Sequence, residues 1–226
     1  MTITIDTLQE KLWDKLTGTG WDKKLRYFVK GTDMYDILLW LNQEKSDGRR
    51  FTPRLNDVFK PFQLCKMDDL KVVLLNSGPY IDPTLNNGLA ISHTSTLTNT
   101  FEFSAFYEEL VNTTPKNTLM DADLSSWAKQ GILLLNTSLT TRINEVGKHH
   151  KVWKPFVYEL LDILERMDKM VFVCVGENEF FRKISDKHIK IIVPPLPTER
   201  KIPWKSNLFN KINEALVENK QSPIIW

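Results

Sequence analysis

The sequence predicts an α/β fold with a central, mostly parallel four-stranded sheet and helices on both of its faces. Three observations carry that expectation. Short apolar runs at Val72 to Leu75, Gly131 to Thr137, Val171 to Val175 and Lys190 to Val193 have the β-branched and aliphatic character of strands, the first of them of the kind covered on both sides. The first three break at once into polar or turn chemistry: Asn76-Ser77-Gly78-Pro79, then Asn136, then Gly176-Glu177-Asn178. Between the runs lie stretches of helical spacing, and crossovers of that kind make neighbouring strands parallel.

The 226 residues, 42% hydrophobic and 26% charged, read as one domain over 1–226 with enough chain for a substantial core. Cys65 and Cys174 both lie among apolar neighbours and read as buried free thiols of a reducing compartment, which argues against a disulfide framework or a zinc site. The opening MTITIDTLQEKLWDKL lacks a basic region followed by an apolar core, and no run is long enough to span a bilayer. An intracellular protein with no membrane association is therefore expected. A net charge of +2 and a pI near 8.4 are compatible with a nucleic-acid partner but do not require one.

Taken in order, Leu8, Leu12, Trp13 and Leu16 recur at helical spacing between Thr7 and about Val29, with Asp6 and Thr7 as caps and an interruption at Thr17 to Gly20. Asp33 to Gln43 reads as a further short helix, and EKSDGRR, Glu44 to Arg50, as a solvated loop. Phe59 and Phe62 read as core aromatics ahead of the first strand. The segment HTSTLTNT after Ser92 reads as an exposed loop, Phe101 to Val111 as a resumed apolar pattern, and Leu124 to Gln130 as a helical lead into the Gly131 strand. Phe156, Leu160, Leu161, Ile163, Leu164 and Met167 mark a helix of about three turns. After the fourth strand, the proline-rich Pro194 to Pro203 leads to a helix over Lys205 to Asn219 with Leu208, Phe209, Ile212, Ala215 and Leu216 inward.

In open α/β sheets ligands bind beyond the carboxyl ends of the strands. That directs attention to KVVLLNSGPYIDPTLNNGLAIS, from Lys71, and to GILLLNT, from Gly131, each of which ends its apolar run on a side-chain amide. With FTPRLNDVFKPF before the first strand and PIIW at the end, these stretches resemble family 1 uracil-DNA glycosylases along almost the whole chain. In that family a strand of the type VKVVILG runs into Gln-Asp-Pro-Tyr-His, and seven residues separate the Tyr from a Gly-Leu pair. Tyr80 and Gly88-Leu89 keep that gap.

The resemblance implies the family's three-layer sandwich and a pocket for an extrahelical pyrimidine lined by Ser77, Gly78, Pro79, Tyr80, Ile91 and Asn136. Asn136 matches the amide that reads the pyrimidine edge, and Tyr80 the ring that crowds uracil C5. The Asp that positions the attacking water falls on Gly78, and the Phe that stacks on uracil falls on Ile91. The His-Pro-Ser-Pro-Leu loop falls on Pro194 to Glu199, and no His follows His188. Where the family has a Pro-Pro-Ser turn that grips the DNA backbone, this chain reads Thr100, Phe101, Glu102. Asn136 is then the central active-site candidate, and Asp82 and Asn76 are candidates to replace the missing carboxylate.

Arg142, Lys148, His149, His150 and Lys151 form the densest basic cluster. Arg142, Lys148, His149 and Lys151, with Pro195, Leu196 and Thr198, are the expected DNA contacts. The adjacent histidines have no Cys or carboxylate at ligand spacing, so no metal is expected, and no cofactor. The expected partner of this monomer is DNA, single-stranded or duplex with a flipped base; a protein partner is left open. The expected activity is excision or alteration of a C5-substituted pyrimidine, with ordinary uracil excision reduced by the two missing transition-state groups. Its alternatives are a catalytically inactive homologue serving as a DNA-binding or assembly module, and a structural Asn136 that only caps backbone groups.

Overall fold

A computed structural model describes residues 4–94, 100–114, 121–197 and 204–226. Three helices open the chain: α1 (Ile5–Leu16), α2 (Trp21–Val29) and α3 (Thr32–Ser46). The cap of α1 is Thr4, whose hydroxyl accepts from the Thr7 amide, two residues ahead of Asp6, the first of the residues expected to cap it. Next come β1 (Phe51–Thr52), the short α4 (Lys60–Leu64) and β2 (Val72–Asn76). After them follow α5 (Phe101–Thr113), α6 (Ser125–Ala128), β3 (Ile132–Asn136) and β4 (Thr141–Arg142). The chain closes with α7 (His150–Glu165), β5 (Val171–Val175), β6 (Ile189–Val193) and α8 (Leu208–Glu218).

The central sheet runs β3-β2-β5-β6 with every pairing parallel, and β1 and β4 form a separate antiparallel ribbon. Alternate side chains divide between two cores, as the period of a strand requires. Val73, Leu75, Leu133, Leu135, Phe172 and Cys174 face α1 to α4 and α7. Val72, Leu74, Ile132, Leu134, Val171 and Val173 face α5, α6 and α8. Burial on both faces is why β2, β3 and β5 read as continuous apolar runs, whereas the edge strand β6 alternates, with Lys190 and Ile192 exposed and Ile191 and Val193 buried. The three-layer α/β architecture agrees with the sequence expectation, and both cysteines are buried and free.

Two expectations about elements need correction. The loop expected over Glu44 to Arg50 is helical through Ser46, and Glu44 is buried, because its carboxylate is paired with Arg142 and Arg49. The helix expected from Phe156 starts earlier, at His150, so the basic cluster straddles a loop and a helix start.

Two glycines fix how the strands approach the site. Gly131 has φ +102°, and a Cβ there would lie 2.0 Å from the Asp69 carbonyl oxygen. Gly88 has φ +88°, and a Cβ there would lie 2.2 Å from the carbonyl oxygen of Asp57. Only glycine allows either approach.

Candidate functional site

The central strands β2 and β3 lie in register, so that Asn76 stands opposite Asn136 at their carboxyl ends. Asn76 Nδ2 donates to the Gly78 carbonyl at 2.9 Å and to Asn136 Oδ1 at 3.0 Å. A carbonyl only accepts, so the Gly78 contact sets which way the Asn76 amide points, and Asn76 in turn sets Asn136. Among the described residues, Asn136 Nδ2 and Asn76 Oδ1 have no protein partner. One donor and one acceptor are thus left side by side at the strand ends. The loops beyond are tied together as well: the Thr137 amide donates to the Asn76 carbonyl at 2.8 Å and the Thr137 hydroxyl to the Ser77 carbonyl at 3.1 Å.

These strand ends open on a cavity of about 350 Å³ whose wall includes Asn76, Gly78, Tyr80, Ile91, Glu102 and Leu196. Ser77, Pro79 and Pro195 line it too, so these sequence-proposed residues are brought together. Asn136 is not in that wall; it is 3% exposed and is hydrogen-bonded to Asn76, which is part of it. Thr198 lies outside the described residues.

Tyr80 is held in place from both ends. Its hydroxyl donates to the Ile91 carbonyl at 2.9 Å, and its own carbonyl accepts from Asn86 Nδ2 at 3.2 Å. Burial pushes its phenol up to about 12, so it stays a hydrogen-bond donor at ordinary pH. Ile91 meets it with φ at +64°, a backbone conformation that costs a β-branched residue about 1–3 kcal/mol. Strain of that size persists where surrounding contacts impose it.

Gly78 leaves open space in the wall, since a Cβ there would find only Ser138 Cβ, at 3.9 Å. Asp82 does not fill this space. It is exposed, lines neither the cavity above nor its neighbour, and accepts from the amide and hydroxyl of Thr84, bonds that hold its carboxyl below the usual range. Its role is a turn cap, which corrects its candidacy as the replacement carboxylate.

Next to the first cavity lies a second of about 140 Å³, sharing Ser77, Gly78, Pro79 and Val146 and extending to Ser138 and His150. Val146 is 82% exposed and forms the rim of both.

The basic cluster divides by burial. Arg142 makes a two-pronged pair with Glu44, Nε to Oε2 at 2.5 Å and Nη2 to Oε1 at 2.9 Å. His149 is fully buried. It shares a 2.8 Å bond between Nδ1 and the Thr140 hydroxyl and packs edge-on against Trp40 and Phe51. Neither is a free DNA contact, because the guanidinium is committed to a buried carboxylate and the imidazole has no exposed surface. Lys148 and Lys151 are exposed: Lys148 stands 3.5 Å from Glu145, and Lys151 has no partner among the described residues.

Glu179 and Glu44 were not singled out in the sequence, where neither carries a motif. Glu179 accepts from His150 Nε2 at 3.1 Å and from Lys154 Nζ at 2.8 Å. Among the described residues no group of three or more His, Cys, Asp or Glu could hold a metal, and no helix is long and apolar enough to cross a membrane.

No protein-family model matches the chain. Uracil-DNA glycosylase 1 of Listeria innocua is 32% identical over 215 residues, covering 91% of this chain and 96% of that protein. The uracil-DNA glycosylase of Caenorhabditis elegans is 28% identical, covering 93% of this chain and 78% of that one. The crystal structure of mimivirus uracil-DNA glycosylase superposes with a TM-score of 0.82 at 23% identity, over 95% of this chain and 88% of that one.

Proposed function

The chain belongs to the uracil-DNA glycosylase family, and on that premise we propose that it hydrolyses the N-glycosidic bond of a uracil-type pyrimidine flipped out of DNA. The observation that carries this reading is the amide pair at the ends of β2 and β3. A uracil-type edge offers a carbonyl acceptor beside an N–H donor; Asn76 Oδ1, on a residue of the cavity wall, is the acceptor for that N–H, and the free Nδ2 of Asn136, bonded to Asn76 from outside the wall, is the matching donor next to it. In the family's strand pattern VKVVILG the last position is Gly, where this chain has Asn76. Asn76 therefore adds the polar group that faces the cavity and holds Asn136 in one orientation. Tyr80, locked on the Ile91 carbonyl, forms a fixed wall beside the base.

The reaction needs a pocket that holds the base, excludes water from its edge and stabilises charge as the bond breaks. This chain supplies the amides for the edge, Leu89, Ile91, Val175 and Leu196 for the apolar wall, and Lys148 and Lys151 for the DNA backbone. It supplies no carboxylate at position 78. Such a group is typically worth about 10² to 10³ in rate, so excision of plain uracil is slow relative to a family member that carries it.

A second reading, that the accepted base carries a substituent at C5, is favoured by the open space at Gly78 and by aliphatic Ile91 where the family stacks an aromatic ring. One experiment tests both. Oligonucleotides, single-stranded and duplex, each with one uracil, thymine, cytosine or bulkier C5-substituted uracil, are incubated with the protein, and released bases and remaining nucleosides are weighed by mass spectrometry. Release of uracil supports the first reading, and faster loss of the substituted base supports the second. Binding without release of any base would refute both and leave an inactive DNA-binding homologue.

A further inference from the structure

We propose that His150, oriented by Glu179, is the base that accepts the proton of the attacking water, a role that rests on the excision reading above. His150 lines the smaller cavity with Ser77, Gly78, Pro79 and Ser138. That cavity shares the Ser77 to Pro79 wall and Val146 with the pocket for the pyrimidine. A nucleotide whose base occupies the larger cavity brings its sugar to this shared wall, so the smaller cavity is the water space beside C1′. Its 140 Å³ is well above the roughly 10–15 Å³ that one water needs.

The chemistry of the pair fits the task. A carboxylate can only accept, so the 3.1 Å contact with Glu179 Oε1 places the proton of a neutral imidazole on Nε2 and the lone pair on Nδ1. Nδ1 has no partner among the described residues. Lys154 Nζ donates to the other Glu179 oxygen at 2.8 Å, and Lys154 and His150 together hold the carboxyl of Glu179 below its usual range. The ring also lies against Phe180, with centroids 5.7 Å apart. A base held by a third group, next to a place where water can sit, is the arrangement that general-base catalysis requires.

In the step itself, the water oxygen bonds to C1′ and the C1′–N1 bond breaks, its electron pair leaving on the pyrimidine. The water proton passes to His150 Nδ1 and from there to solvent or to the departed base anion. This places the proton acceptor on α7, in the lining of the same small cavity as Gly78, where the resemblance puts the family's carboxylate.

The test uses the oligonucleotide from which the wild-type chain releases most base, under single-turnover conditions. Wild type, His150→Ala and Glu179→Gln are compared with and without added imidazole. Affinity is measured alongside on a duplex whose target nucleotide is 2′-fluorinated and resists cleavage. His150→Ala should lower the rate about 10²-fold while leaving affinity unchanged, and imidazole should restore part of it, since the side chain is half-exposed beside an open cavity. Glu179→Gln should lower the rate about 10-fold. A wild-type rate in His150→Ala, or a deficit that imidazole does not touch, would overturn the assignment while leaving the excision reading intact. Wild-type protein that releases no base would end both. Should His150→Ala fail to fold, Glu179→Gln, which keeps the imidazole, carries the decision: an unchanged rate in it would overturn the assignment.

Discussion

Replacing His149 by Gln should remove a defined part of this fold's sensitivity to acid. Trp153 Nε1 donates to the Thr140 hydroxyl at 2.7 Å, and the same oxygen shares a 2.8 Å hydrogen bond with His149 Nδ1. Its other nitrogen, Nε2, stands 3.6 Å from Glu44 Oε2. Burial lowers its pKa from the ordinary 6.5 to about 4, outweighing the pull of Glu44 toward the charged form. Because the folded value lies below the unfolded one, the unfolded chain takes the proton first as pH falls. The contribution is complete above about 6.5, declines between there and about 4, and is constant below that. That separation corresponds to about 3 kcal/mol, a large share of the stability of an ordinary domain.

Glu44 does not confuse this window. Its pKa is lowered, by the Arg142 hydrogen bond above all, so its contribution stands above the ordinary 4.5 and is lost only as pH drops through the lower folded value. His188, also lowered by burial, adds a smaller loss of the same sign. Denaturant unfolding at about pH 7.5 and about pH 4.5 gives the change for each protein, and the variant's should be smaller than the wild type's by about 2–3 kcal/mol. His149→Gln will be less stable at neutral pH through loss of the Thr140 bond, but the reading is the difference between the two pH values. Equal losses in the two proteins would refute the argument that a buried neutral imidazole carries the acid sensitivity.

Three further outcomes follow from the site. Gly78→Asp has room for its side chain and should raise uracil excision about 10-fold or more; an intact fold with no gain would mean that position 78 does not face the reacting sugar. Lys148→Ala and Lys151→Ala should each reduce the salt dependence of DNA binding by about one unit of slope, whereas Arg142→Ala should leave the slope alone and cost about 1–3 kcal/mol by leaving the buried Glu44 with Arg49 as its one remaining arginine, read from salt titrations and denaturant curves. Asn136→Asp still accepts from Asn76 but presents only acceptors to a base, so activity on uracil-type bases should vanish or shift toward cytosine. A protein destabilised by about 1–3 kcal/mol with unchanged base preference would mark the amide as structural.

The strands were legible because burial on both faces leaves no polar residue to interrupt Val72–Asn76 or Val171–Val175. The pocket's place was legible from the abrupt turn chemistry after β2. What sequence could not show was pairing at a distance. Glu44 looked like part of a solvated loop because its partner Arg142 is 98 residues away, and the same pairing took Arg142 out of the DNA rim. Of the adjacent histidines the sequence put His149, and not His150, among the DNA contacts, yet one residue of advance turns the chain by about 100° at a helix start. That turn sends His149 into the core and leaves His150 at the cavity. Asp82 looked like a spare carboxylate because proximity in sequence cannot distinguish a turn cap from a pocket residue. Asn76 was found as a candidate, but only the register of β2 with β3 revealed its partner.

The bond between Asn76 and Asn136 also sets a schedule for the growing polypeptide. Its two residues are 60 positions apart and meet only when β2 and β3 have paired to their last rung. During synthesis, the first half of the site therefore waits with an unmatched amide until the second strand has emerged and aligned. A slip of one rung would turn each amide to the opposite face of the sheet. Fragments ending before residue 136 should show no trace of base recognition, and recognition should appear in one step with the sheet.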